Sequence, residues 1–372
     1  MPAVHLSAPR LQSLDIFRGL TVAAMLLVNN PGSWEHVYAP LEHAAWDGWT
    51  PTDLVFPFFL FIVGVAIPFS LGRRLDEGTS RGSLVARILF RTLLIIALGL
   101  LLNAFPRFEW QALRLPGVLQ RIGLVYGCAA LIYLWTSWRS QALICALLLV
   151  AYWLAMTLVT VPGVPTGSLT PDANLAQYLD SAVFGGHMWR EHWDPEGLLS
   201  TVPAIGTCLF GILTGTWLRS DRPPAEKALG LLIAGGAGMV LGLIWDHWFP
   251  INKNLWTSSY ALFTAGMAAQ VLGALFAVVD LSGYRRWAWP AFVLGSNALL
   301  VFALSGLLER ILIRIMVTDG GEQVGLRGWI YQHLFATWAG PLNGSLAYAV
   351  VFVLMFVALL ALPYRRGWYL RF

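Results

Sequence analysis

Apolar residues run along this chain in blocks of about 20, the length an α-helix needs to cross a bilayer, and short polar or Pro- and Gly-rich stretches separate them. The blocks predict helices over 14–31, 52–71, 84–104, 115–136, 140–161, 198–218, 227–246, 257–280, 288–312 and 344–363. The fold class expected is therefore an all-α polytopic membrane protein of about ten transmembrane helices (about 9–11). One transmembrane domain is expected to take up residues 1–372. Three connections, 31–51, 162–197 and 313–343, are long and irregular, and the connections on the opposite side are short and basic.

Composition supports this reading. Hydrophobic residues make up 57% of the chain and charged residues only 12%, against about 25% in soluble domains. Too few charges remain to cover a water-facing surface, which excludes an ordinary soluble protein, a disordered chain and a nucleic-acid binder. The net charge is +4, and Lys227 and Lys253 are the only lysines beside 22 arginines. With the N-terminus inside, thirteen Lys and Arg fall on the inner side, Arg10 and Arg371 among them, and six on the outer side. That asymmetry puts both termini in the cytoplasm and the three long segments outside. Trp46, Trp49, Trp110, Trp189, Trp193, Trp248 and Trp256 then fall near the outer ends as an interfacial belt. Cys128, Cys145 and Cys208 lie inside apolar blocks and read as small buried thiols. No two histidines have the spacing of a helical zinc site, so no metal is expected.

Ionisable and amide side chains inside spans are costly and are candidates for function. Asp15 and Arg18, three residues apart, share a helix face and read either as a structural pair or as an anion site. Asn29 and Asn30 precede the Pro31-Gly32 break at the outer end of the first span. In the stretch 41–57, His43 precedes a helix start marked by Thr50 as cap and Pro51 at the first helical position. Asp53 falls in the first turn, where the positive helix end favours a carboxylate; it reads as helix-start electrostatics or as an orienting group for His43. An imidazole with the Asp47 and Asp53 carboxylates in reach can act as a general base or accept an acyl group. Further along, Arg121 lies within a span and needs a partner or an anionic ligand. Asp194, Glu196, Asn252, Asn254 and Trp256 supply the carboxylates, amides and flat ring that suit a sugar, or, for Trp256, a simple interfacial anchor.

Taken in order, these segments resemble one family, the heparan-α-glucosaminide N-acetyltransferase-like transmembrane acyltransferases. The matching stretches are Ser13-Leu14-Asp15 through Arg18-Gly19, Val28-Asn29, His43-Ala44-x-Trp46-x-Gly48-x-Thr50 and Asp53-Leu54-Val55-Phe56-Pro57. They continue with Arg114-x-Pro116-Gly117-Val118-Leu119-Gln120-Arg121, Val161-Pro162-Gly163-x-Pro165-Thr166-Gly167, Asp194-Pro195-Glu196-Gly197 and Pro250-x-Asn252-Lys253-Asn254-Leu255-Trp256. The resemblance implies transfer of acetyl from cytoplasmic acetyl-CoA to the amine of a glucosamine-type sugar on the outer, periplasmic side. It implies His43 as the catalytic histidine and Asn29 as an active-site amide, and a homodimer as a common assembly. Arg18, Arg87 and Arg91 are the expected holders of the CoA phosphates, since guanidinium forks suit them. The lysosomal form resembled carries an additional luminal region before its first span and Asn in place of Asp47, so a shorter, bacterial-type form in an inner membrane is expected. An O-acyltransferase of an envelope polysaccharide and a secondary transporter of sugars or organic acids are the alternatives.

The charge asymmetry makes a topological prediction. A reporter fused after Phe372 should read cytoplasmic, and one inserted near Thr170 should read external; both on one side would remove the basis for transfer across the membrane.

Overall fold

The computed structural model describes residues 11–190 and 193–368; Arg10, Arg371 and positions 191–192 of the expected outer segment lie outside the described residues. Among the described residues fourteen α-helices follow one another: α1 Gln12–Asn29, α2 Val55–Ile67, α3 Arg73–Asp76, α4 Arg81–Ala104, α5 Val118–Trp135, α6 Trp138–Leu158 and α7 Leu175–Phe184, then α8 Thr201–Arg219, α9 Pro224–Asp246, α10 Ser258–Leu275, α11 Trp289–Ser296, α12 Ala298–Arg314, α13 Leu326–Tyr331 and α14 Thr337–Arg365. The strands are two short antiparallel pairs, β1 Leu169–Thr170 with β2 Ala173–Asn174 and β3 Met316–Asp319 with β4 Glu322–Gly325. The chain is an all-α polytopic membrane protein. Among the described residues eight helices are long and apolar enough to cross a membrane, and nine if the bent pair 286–296 and 298–314 is one span. The first expected span forms as α1, but it carries Gln12, Asp15, Arg18 and Asn29 and is not among the eight.

Local chemistry sets the boundaries. Ser80 and Ser137 accept hydrogen bonds from Ser83 N and Ser140 N and so cap α4 and α6, starting both helices a few residues before the expected positions. Pro116-Gly117 delays α5 to Val118. After Ile67 the second span widens into a π-turn over Pro68–Gly72, where the proline lacks an N–H to donate. The expected helix 288–312 is bent by 71° at Asn297, whose backbone is not helical (φ −133°, ψ 41°).

The bundle has an inside and a periphery. Two-thirds of the apolar window of α8 is buried (67%), against 17% for α4 and 22% for α9. Leu60, Val125, Leu209, Ile212 and Tyr260, from α2, α5, α8 and α10, form the central core. Phe90, Leu93, Leu147, Ile233 and Leu241 on α4, α6 and α9 face outward, as helix faces in contact with lipid do. Cys145 and Cys208 are buried as expected, whereas Cys128 is on the exposed face of α5. Trp256 also departs from expectation: it is 1% exposed and belongs to the central core rather than to an interfacial belt.

Hydrophobic burial does not drive helices together inside lipid, so close approach of small residues matters. At the α2–α8 crossing a Cβ on Gly64 would lie 2.0 Å from the Cys208 carbonyl oxygen, and one on Gly211 would lie 2.2 Å from that of Phe61. The three long segments meet at one end. Gly32 N and Ser33 N donate to Ser345, Arg327 donates to Pro31 O, and Trp46 Nε1 donates to Leu169 O at 2.8 Å.

Replacing Gly64 by Leu should force α2 and α8 apart. Gly64→Leu should lower the apparent melting temperature in detergent sharply or abolish recovery of monodisperse protein, while Leu143→Ala, on the exposed face of α6, should leave it nearly unchanged. Equal melting curves for Gly64→Leu and the parent would contradict the crossing.

Candidate active site

The second span starts with a carboxylate that serves two purposes. Thr50 caps the 3₁₀ turn Pro51–Leu54, and Asp53 Oδ2 accepts from Thr50 N (3.0 Å), Thr50 Oγ1 (3.2 Å) and Ala44 N (3.0 Å). The other oxygen, Oδ1, is 2.7 Å from His43 Nδ1. Thr50 Oγ1 also donates to Glu42 O at 2.6 Å, which fastens the loop before His43 to the helix start. Asp53 is 1% exposed and the His43 side chain 49% exposed, so a buried carboxylate orients a ring that faces open space. With Nδ1–H donated to Asp53, Nε2 is the basic nitrogen; the tautomer is assigned from this contact.

A third group completes the centre. Lys253 Nζ lies 3.0 Å from His43 Nδ1, 3.2 Å from Nε2 and 3.5 Å from Asp53 Oδ1. Burial pushes its ammonium below the usual lysine range, against the pull of Asp53. The loop that carries Lys253 is fixed by its neighbours. Asn252 donates to Asp47 Oδ1 (3.1 Å) and accepts from Leu255 N (2.9 Å), and Gly48 N donates to Ile251 O (2.7 Å). Asp47 and Asn252 thus clasp two loops together and leave the contact with His43 to Asp53.

His43, Lys253, Asn254, Glu196 and Asn29 line one cavity of about 530 Å³, with Trp189, Trp193 and the apolar side chains of Val55, Phe56 and Phe59. Asn29 is the last residue of α1 and is exposed to this space. Arg114 forms its opposite rim. Its guanidinium is bidentate to Asp194 (2.7 and 2.6 Å) and also donates to Glu196. Asp194 takes two backbone N–H groups as well, from Trp189 and Glu196.

Of the residues expected to hold a sugar, only Glu196 and Asn254 reach the cavity. Asp194 and Asn252 spend their hydrogen bonds on loops, and Trp256 donates to Thr207 Oγ1 in the core. Arg121, 1% exposed, donates through Nη2 to Gly197 O and Ser200 Oγ just before α8 and lies 5.2 Å over the Trp256 ring, while its Nε and Nη1 are buried without a hydrogen-bond partner. Sequence reasoning left Arg114 and Lys253 off the site. Both stood in the motifs, but nothing in the spacing reveals that each meets a carboxylate, Asp194 and Asp53, across more than 75 residues.

At the far end of α1 the arginines are dispersed. Arg18 donates to Asp15 at 3.2 Å, Arg87 is exposed on α4 and Arg91 half-buried on the same helix. A cavity of about 400 Å³ opens there between Gln12, Asp15, Arg285, Arg286 and Tyr364, and none of the three expected arginines lines it. Among the described residues no group of three His, Cys, Asp or Glu side chains could hold a metal ion.

Removing one member of a buried ion pair costs about 3–5 kcal/mol. Asp194→Asn should therefore lower the apparent melting temperature by several degrees and open the 186–197 loop to limited proteolysis. An unaltered melting curve would mean that Asp194 is free for ligand instead.

The family described as heparan-alpha-glucosaminide N-acetyltransferase, catalytic, matches residues 10–229. The human heparan-alpha-glucosaminide N-acetyltransferase (Homo sapiens) is 32% identical over 354 residues, covering 79% of this chain and 52% of its own length. The mouse protein of the same name (Mus musculus) is 31% identical over 363 residues, covering 82% of this chain and 54% of its own. The chain spans about half the length of these relatives. Matched over more than half its residues, it belongs to the heparan-α-glucosaminide N-acetyltransferase catalytic family.

Proposed function

We propose that this protein moves an acetyl group from cytoplasmic acetyl-CoA to the amine of a glucosamine-type sugar on the outer side of a bacterial inner membrane. The observation that carries the reading is a histidine whose Nδ1 is held by a buried carboxylate while its ring faces a cavity beside a lysine and an asparagine. Family membership supports acyl transfer; the donor, the acceptor and the side of the membrane are part of the proposal.

The chemistry is balanced by groups at the site. An amine attacks a thioester carbonyl only after losing a proton, and His43 Nε2 accepts it. The C–N bond forms, the C–S bond breaks, and the proton held on His43 passes to the departing thiolate. In a two-stage version Nε2 first takes the acetyl group and the amine then removes it. In both, Asp53 stabilises the imidazolium side of the reaction through Nδ1. The negative oxygen of the tetrahedral intermediate needs donors; the Asn29 amide and the Lys253 ammonium, both on the cavity wall, supply them. The CoA phosphates require cations at the opposite end, where Arg18, Arg87 and Arg91 were expected and Arg285 and Arg286 line a cavity.

The test is acetyl transfer by purified protein from labelled acetyl-CoA to a panel of amino sugars. An amide product is expected; an ester would favour an O-acyltransferase, and no product a transporter. His43→Ala should leave a folded protein, since the side chain is half-exposed, and lower turnover by about 10²–10⁴. A variant retaining more than about a tenth of parental turnover would make His43 structural, set against that range.

A further inference from the structure

A second cavity of about 430 Å³ adjoins the first, sharing Asn29, Arg114, Trp189 and Phe302 as a common wall. It lies among the outer ends of α1, α4 and α12 and the start of α5. Its lining includes hydrogen-bonding groups without protein partners. Gln120 is 6% exposed, and its Nε2 has no acceptor. Its Oε1 packs against Gly99 and Gly117, where an added Cβ would lie 2.4 or 2.8 Å from it. Glu309, from α12, is held through Oε1 by Arg327 Nε at 2.7 Å, and Arg327 is anchored in turn on Pro31 O. Its other oxygen, Oε2, is buried with no donor. A buried donor and a buried acceptor left unpaired are both costly. The arrangement suits a ligand that carries both O–H donors and oxygen acceptors.

We infer that this second chamber binds the hydroxyl-bearing body of the acceptor amino sugar, with Glu309 Oε2 accepting from a hydroxyl and Gln120 Nε2 donating to a ring or hydroxyl oxygen. The inference rests on the acetyltransferase reading above. The sugar body occupies the polar chamber, and the amine extends past Asn29, which lines both spaces, toward His43. The Trp34 and Trp189 rings, both exposed and both lining the chamber, offer flat faces for the sugar's C–H surface. Three of the residues expected to form a sugar site are occupied elsewhere, Asp194 with Arg114 and the Trp189 N–H, Asn252 with Asp47 and the Leu255 N–H, and Trp256 with Thr207, whereas Gln120 Nε2 and Glu309 Oε2 are unpaired.

The test uses the whole 372-residue chain in detergent, with glucosamine as the probe. Binding is read by tryptophan fluorescence without acetyl-CoA, and KM for glucosamine and for acetyl-CoA is measured separately. Glu309→Gln and Gln120→Met should each raise the Kd and KM for glucosamine about tenfold and leave the KM for acetyl-CoA unchanged, with parental melting curves. Unchanged glucosamine binding in both folded variants would overturn the inference and leave the chamber to water; a rise confined to the KM for acetyl-CoA would assign it to the donor. Should Glu309→Gln fail to fold through its tie to Arg327, Gln120→Met decides alone. Because the titration needs no turnover, the readings fail separately. A protein that binds glucosamine through Glu309 but acetylates no amine would sink the catalytic reading alone.

Discussion

A carboxylate at the edge of an apolar bundle is tolerated only when its lone pairs are taken, and Asp53 meets that condition in a way that organises everything around it. One oxygen gathers the N–H groups of Thr50 and Ala44 and so closes the His43 loop onto the start of the second span. The other faces His43 and Lys253, which come from loops 210 residues apart. Helix initiation, loop closure and orientation of the imidazole are thus one interaction. Tyr260 adds to it from the central core, donating to the Asp53 carbonyl at 2.5 Å.

A second electrostatic knot supports the opposite rim. Arg114 with Asp194 and Glu196 ties the loop before α5 to the loop before α8. Because hydrogen bonds from backbone N–H groups also converge on Asp194, the pair holds main chain as well as charge. The two knots flank one cavity, so the site is framed by loops at one end of the helices, where water can reach charged groups that the bilayer interior would exclude.

Much of this was legible in the sequence. Apolar blocks of bilayer length mark the helices, and Thr50-Pro51 with Asp53 marks a helix start beside His43. Contacts between distant segments were not legible. Trp256 and Arg121 look like ligand contacts because a Trp at a span end and an Arg within a span are unusual; in the fold each answers the other, ring against guanidinium, a pairing of residues 135 positions apart that no local pattern encodes. Asp47 stands four positions from His43 in the chain, yet it accepts from Asn252. The bend at Asn297 was equally hidden, since the apolar block runs through it unbroken.

Helix α1 is about 27 Å long by its rise per residue; its first turn borders the cavity lined by Arg285 and Arg286, and its last residue borders the chambers beside His43. Its middle, where Val22 is fully enclosed, separates the two spaces. The length of one helix thus sets how far apart they lie, and a single molecule touching both has to reach about that distance.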